Sequence, residues 1–197
     1  DNGDDWDFVI TGRERHVADA RDGYLPYPQR AIRCEDYLYI RNYEPDRWPM
    51  GHPDGADALK RQLSDTDNAN LGEKHSDPKS NDLKTDTRAA FPDCDASPTK
   101  EWVINNRKKE SVIPLYNLAF GKRPGEELFD LNVDPHYMNN VAYDLDYADI
   151  KETLSKKLHT ILVASNDPRV SEKSPCKFEL EPYAGTVPER QSFFRRN

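Results

Sequence analysis

Apolar and polar positions alternate most regularly between Tyr37 and Tyr43. Leu38, Ile40 and Asn42 fall on one side, and Tyr37, Tyr39, Arg41 and Tyr43 on the other. A period of two puts successive side chains on opposite faces of an extended chain, so the stretch predicts a half-buried strand. Arg30 to Arg33 predicts a preceding strand, joined to it by a turn at Cys34 to Asp36. Pro45 and Pro49 end the ladder because proline supplies no N–H. Another strand is predicted from Glu127 to Leu131, ahead of an Asp134-Pro135 turn. The spacing becomes helical at Ile150, Leu154, Leu158, Ile161 and Leu162, with Asp146 and Asp149 at the end where the helix dipole favours negative charge. Ser97 followed by Pro98 marks the start of a helix through Trp102, Val103 and Asn106, and a short helical turn precedes Gly121. No strand–helix–strand series recurs. The expected class is therefore α+β: a small antiparallel sheet, a long C-terminal amphipathic helix packed on one face, and long irregular connections.

Residues 53–97 are rich in Asp, Asn, Ser, Lys and Thr, and predict a polar surface excursion with a short helix near Ala56 to Leu63. After Asn166 the chain is again polar and proline-rich. A hydrophobic fraction of 36% supports a core only because those residues are concentrated in the few periodic segments. The net charge of -8 argues against nucleic acid as a partner, since a phosphate backbone needs a basic face to release its counterions. No apolar run approaches the roughly 18 residues of a membrane span, and the opening "DNGDDWDF" reads as a solvated terminus rather than a signal peptide. Cys34, Cys94 and Cys176 have no CxxC spacing and can form at most one disulfide.

Catalytic templates are largely missing: there is no GxSxG, no glycine-rich phosphate loop, no HExxH and no EF-hand loop. His16, His52, His75, His136 and His159 are far apart in the chain. His159 belongs to the polar face of the long helix, and His52, His75 and His136 to turn-like surroundings. Tyr37, Tyr39 and Tyr43 with Trp48 have the chemistry to stack on a sugar, although aromatics on an alternating strand usually serve packing. One cluster stands apart. "TGRERHVADARDGYLPYPQR" gathers Arg13, Arg15, His16 and Arg21 around Glu14, in a stretch that reads as a loop feeding the hairpin. Guanidinium groups bind oxyanions through paired donors, and a histidine adds one more donor or a proton.

The order of segments carries a resemblance. "GRERHV", "GYLPYPQRAIRCEDYLYIRNYEPDRWPMG", "SPTKEWVINNR" and "LAFGKRPGEELFDLNVDPHYMNNVA" together resemble the C-terminal part of a sulfatase. The likeness is closest to the sulfamidase-like branch, the N-sulfoglucosamine sulfohydrolases, and runs from about Thr11 to Val170. It implies an alkaline-phosphatase-like sulfatase C-terminal subdomain over 1–197: pocket loop and hairpin (11–52), polar excursion (53–97), helix, strand and C-terminal helix (98–170), and irregular tail (171–197). The whole enzyme would hydrolyse sulfate esters or sulfamates, on a glycan such as N-sulfoglucosamine. The family's Cys-x-Pro-Ser-Arg type motif, source of its formylglycine, does not occur here, and "SDPKS" from Ser76 lacks the arginine. The resemblance therefore implies that formylglycine and calcium lie outside this chain, in an N-terminal sulfatase domain that is its first partner, and that the chain alone is inactive. It assigns no catalytic residue here. The substrate contacts it suggests are His16 first, then Arg13, Arg15 and Arg21. Because that family usually works outside the cytoplasm, the resemblance implies a periplasmic or extracellular location. A carbohydrate-binding or interaction module and a purely structural cap are the other functions these residues admit.

Overall fold

The computed structural model describes residues 7–17, 20–55, 83–173 and 175–180. Four strands, β1 (Val9–Arg13), β2 (Gln29–Arg33), β3 (Tyr37–Asn42) and β4 (Glu126–Asp130), form one antiparallel sheet in the order β1-β2-β3-β4. Among the described residues the helices of eight residues or more are α1 (Pro98–Asn105), α2 (Ile113–Phe120) and α3 (Ala148–Ala164), and the short α4 (Pro168–Ser171) and α5 (Lys177–Leu180) follow. The α+β class is as expected. The predicted hairpin and its turn are β2 and β3, but burial along β3 does not alternate: its buried residues, Tyr39 and Asn42, lie on opposite faces.

The helix lies on the tyrosine face of the sheet. Register sets Ile10, Ile32, Tyr39 and Leu128 side by side in one row. Against that row pack Leu154, Leu158 and Leu162, which recur every four residues and so share one face of α3. Each leucine withdrawn from water in this way contributes about 2 kcal/mol. Tyr39 keeps its hydroxyl satisfied by donating to Glu126 Oε1 at 2.6 Å, with Ser155 Oγ at 3.2 Å. Burial, reinforced by that carboxylate, pushes the phenol up to about 12.

Two expectations need correction. The stretch from Thr11 to Arg13, read as loop, is the second half of β1. The β-branched Val9-Ile10-Thr11 run carries the strand signal, masked by Gly12, a residue that weakens strands. Glycine is used there because Arg30 crosses it: a Cβ at position 12 would stand 3.0 Å from Arg30 Cδ. The excursion over 53–97 is also more than surface. Its end supplies Leu83, Ala89, Ala90 and Phe91 to a second core with Ile104 and Phe120, and the Phe91 and Phe120 rings stack at 4.6 Å. Averaged polarity hid the compact apolar run "AAFP". The helix predicted near Ala56 to Leu63 lies outside the described residues, as do the segments 1–6 and 181–197.

The segment "ELFDLNVDPHYMNNVA" closes the sheet at β4. After the Asp134-Pro135 turn, Asp134 Oδ2 accepts from Asn139 N at 2.8 Å and brings the chain back along the strand. Asn140 then acts as a partner strand: its Oδ1 accepts from Leu128 N at 2.9 Å, and its Nδ2 donates to Glu126 O at 3.2 Å. Val141 N completes the contact by donating to Leu128 O at 2.9 Å. An open sheet edge invites pairing with other chains, and this edge is occupied from within. Asn140→Ala is expected to cost about 1 kcal/mol, the net worth of a partly exposed hydrogen-bonded pair. Urea denaturation checks it, and Asn140→Asp, which keeps only the acceptor, should fall between the two.

Candidate functional site

The connection from β1 to β2 leaves the end of the sheet and returns through a tight turn at Asp22–Tyr24, where Gly23 has φ +67°. Its backbone is pinned at several points. Tyr27 N donates to Glu14 O at 2.7 Å, His52 N to Ala20 O at 2.6 Å, and Val17 N to Asp93 Oδ1 at 2.7 Å. The loop is thereby fastened to the segment after β3 and to the second core.

Of the four residues singled out in the sequence, two fasten the loop to the segment after β3. Arg21 is 4% exposed. Its Nε donates to Trp48 O at 2.6 Å, its Nη2 donates to Pro49 O at 2.8 Å, and it forms an ion pair with buried Asp93. Burial draws its pKa down, and the Asp93 charge opposes the shift. Arg13 Nη2 donates to the same Pro49 carbonyl at 2.6 Å. The Arg13 and Arg21 guanidinium carbons lie 5.6 and 5.7 Å from the centre of the Tyr27 ring. Both cations are thus satisfied by carbonyls, a carboxylate and an aromatic ring.

Arg15 and His16 are placed differently. Arg15 Nε donates to Tyr24 O at 3.0 Å, while its Nη1 is buried without a hydrogen-bond partner. Burial lowers the Arg15 pKa, and the charges of Glu179 and Glu14 act in the opposite sense. His16 is exposed. Arg13, Arg15 and Arg21 thus each hold a backbone carbonyl of the loop or of the segment after β3, and His16 is the exposed member of the cluster.

Around Arg15 lies an ionic network that the sequence reading did not identify. Arg30 grips Asp167 through Nε at 2.7 Å and Nη2 at 3.1 Å, and reaches Glu14 at 2.8 Å. Arg169 donates to Glu14 at 3.1 and 3.2 Å through Nε and to Glu179 Oε1 at 2.5 Å through Nη1. Arg47 Nη1 meets the two Glu179 oxygens at 3.2 and 3.0 Å. Burial works against the charge on Arg169, but its bonds to Glu14 and Glu179 outweigh burial, and it titrates above the usual arginine range. A third feature is His52, read as a turn residue. Its Nδ1 contacts the buried carboxylate of Asp54, which fixes the orientation of the ring. The signal for it is the H-x-D spacing across Pro53.

Separately, a 480 Å³ groove opens between β3 and α3, lined by Tyr39, Arg41, Tyr43, Ser155 and His159 among others. Among the described residues no three His, Cys, Asp or Glu side chains come together to hold a metal, and no helix is long and apolar enough to cross a membrane. No protein-family model matches the chain, and no curated protein matches it.

Proposed function

We propose that these 197 residues are the C-terminal part of a sulfatase, closest to the sulfamidase-like branch, with the β1–β2 loop as one wall of its substrate pocket. The reading rests on the order of segments from "GRERHV" to "NNVA". The observation that supports it best is the build of the loop: Arg13, Arg15 and Arg21 fasten it through backbone carbonyls, while His16 stays exposed. A pocket wall fixed before the substrate arrives loses little entropy on binding.

In this reading the formylglycine and calcium, with the chemistry of attack on sulfur, belong to the N-terminal domain. His16 contacts the substrate, and Arg15 adds positive charge close to the sulfuryl oxygens. The substrate is a sulfate ester or sulfamate of a glycan, and the enzyme works in the periplasm or outside the cell.

In the full-length enzyme, His16→Ala is expected to lower kcat/KM by about 10- to 100-fold, the loss of one hydrogen bond to a charged group. Steady-state kinetics with a sulfated glucosamine decides it, and unchanged kinetics would remove His16 from the pocket. The parent assignment is checked by the intact mass of the natural protein in its source cells. A mass well above 22.7 kDa with an upstream formylglycine peptide supports it; a mass near that value turns attention to a glycan-binding module.

A further inference from the structure

We propose that Arg15, Arg47 and Arg169 form an oxyanion-binding site, and that Glu179 on α5 is its built-in, displaceable occupant. The ligand class is a sulfate or phosphate group, free or carried on a larger molecule. The inference does not rest on the sulfatase reading, because binding of an oxyanion is measured without turnover.

The geometry is that of a ligand site filled from within. Arg47, after β3, and Arg169, at the start of α4, converge on one carboxylate from widely separated parts of the chain. Arg47 reaches both oxygens, at 3.2 and 3.0 Å, and Arg169 takes Oε1 at 2.5 Å. Guanidinium forks match a tetrahedral oxyanion at least as well as a carboxylate, since each fork can engage two oxygens. Arg15 lies within electrostatic reach of that carboxylate, and its buried Nη1 has no hydrogen-bond partner. Glu179 is the strongest charge favouring the cationic form of Arg15. A group with three or four oxygens offers that donor an acceptor that a two-oxygen carboxylate does not.

Charge points the same way. The charged groups gathered here are the cations Arg15, Arg30, Arg47 and Arg169 and the anions Glu14, Asp167 and Glu179. One positive charge is in excess with Glu179 in place. Replacing that single negative charge by a dianion balances the set. Glu44 approaches Arg47 only at 3.6 Å and is 41% exposed, so water screens it.

The occupant is also weakly held apart from its carboxylate. α5 has four residues, and helices this short have little stability of their own. Its turn is closed by Glu179 N donating to Cys176 O at 2.9 Å, and its start is tied by Lys177 N donating to Glu172 Oε2 at 2.8 Å. Buried Cys176 and the Phe178 ring, about 6 Å from the Arg30 and Arg169 guanidinium carbons, add further contacts.

The test uses the full chain and inorganic sulfate, titrated against chloride at matched ionic strength and followed by calorimetry. Glu179→Gln keeps the shape of the side chain and removes its charge. It is expected to bind sulfate at least tenfold more tightly than wild type, and Arg47→Ala in that background should abolish the gain. In the wild-type protein, where folding is not in question, sulfate should speed hydrogen exchange at the Phe178 and Glu179 amides relative to chloride. Equal sulfate affinity in the wild type and Glu179→Gln, a gain that survives Arg47→Ala, or exchange indifferent to sulfate would each overturn the proposal. Phosphate monoesters in place of sulfate distinguish the two sources of the oxyanion.

Discussion

Arg30→Met lowers the stability of the protein by about 3–5 kcal/mol, the cost of breaking a buried ion pair from one side. Arg30 is 6% exposed, and its guanidinium binds Asp167 through two nitrogens while touching Glu14. Glu14 keeps Arg169 after the change, but Asp167 keeps only its hydrogen bond from Arg169 N. The Asp167 carboxylate, 16% exposed, would be left without its counter-charge. For a chain of this length, such a loss corresponds to a fall in Tm of roughly 10 °C. Arg30→Lys should lie between, because an ammonium restores the charge but not the fork. Urea denaturation of the three proteins measures both steps, and a loss under about 1 kcal/mol for Arg30→Met would show that the network is not structural.

The second large effect is expected at Lys100. Its ammonium is 2% exposed at the start of α1 and donates to three backbone carbonyls: Thr87 O at 3.2 Å, Phe91 O at 3.3 Å and Cys94 O at 2.6 Å. These are the carbonyls of the turn that carries Phe91 into the second core. Lys100→Met preserves most of the volume and leaves all three without this donor, at a cost of about 3 kcal/mol given 1–3 kcal/mol for a stranded buried group. The effect depends on pH in a defined direction. Burial lowers the Lys100 pKa, while nearby Cys94, Asp95 and Asp86 oppose the shift. Between that lowered value and the usual lysine value, the unfolded chain binds more protons than the folded one. The contribution of this titration is therefore complete above the usual lysine pKa and is lost as pH falls through the lowered one. The difference between wild type and Lys100→Met should accordingly widen toward alkaline pH. A constant difference across that range would mean that Lys100 titrates as an ordinary lysine.

Much of the scaffold was legible in local pattern. Ser97 does cap α1, its Oγ accepting from Lys100 N at 3.1 Å, and Pro98 occupies the first turn as its missing N–H allows. The leucines of α3 and the two faces of β3 each followed from a single period. Alternation defined those faces without saying which of them the helix covers, because a period of two carries no information about partners. β1 was lost to one glycine, placed there for a side chain from the neighbouring strand. The candidate site was legible only as a cluster of residue types. Arg13 and Arg21 look no different from Arg15 in sequence, and only the fold decides that the first two take the carbonyls of Trp48 and Pro49 and the third that of Tyr24. The network is harder still to read: Arg30 and Asp167 are 137 positions apart, and Glu14 and Arg169 are 155 apart. No local rule couples residues at that distance, and charged side chains taken singly are expected to face water.

β1, β2 and β3 follow one another through short connections, whereas about 80 residues separate β3 from its neighbour β4, a gap whose closure cost grows only with the logarithm of its length. Doubling that segment would add only about 0.6 kcal/mol to the closure cost, much less than the burial of one leucine. The β3–β4 rung is thus the place where this sheet can accept inserted sequence most cheaply. It is also the slowest part to assemble, since a long loop must close before its contacts repay the entropy. The Asn140 clasp on the far side of β4 bears on that same late step, because it holds the last strand to arrive through residues only 12 and 14 positions away. Because these bonds are local, the clasp on β4 closes at a lower cost in chain entropy than its pairing with β3 across the long gap.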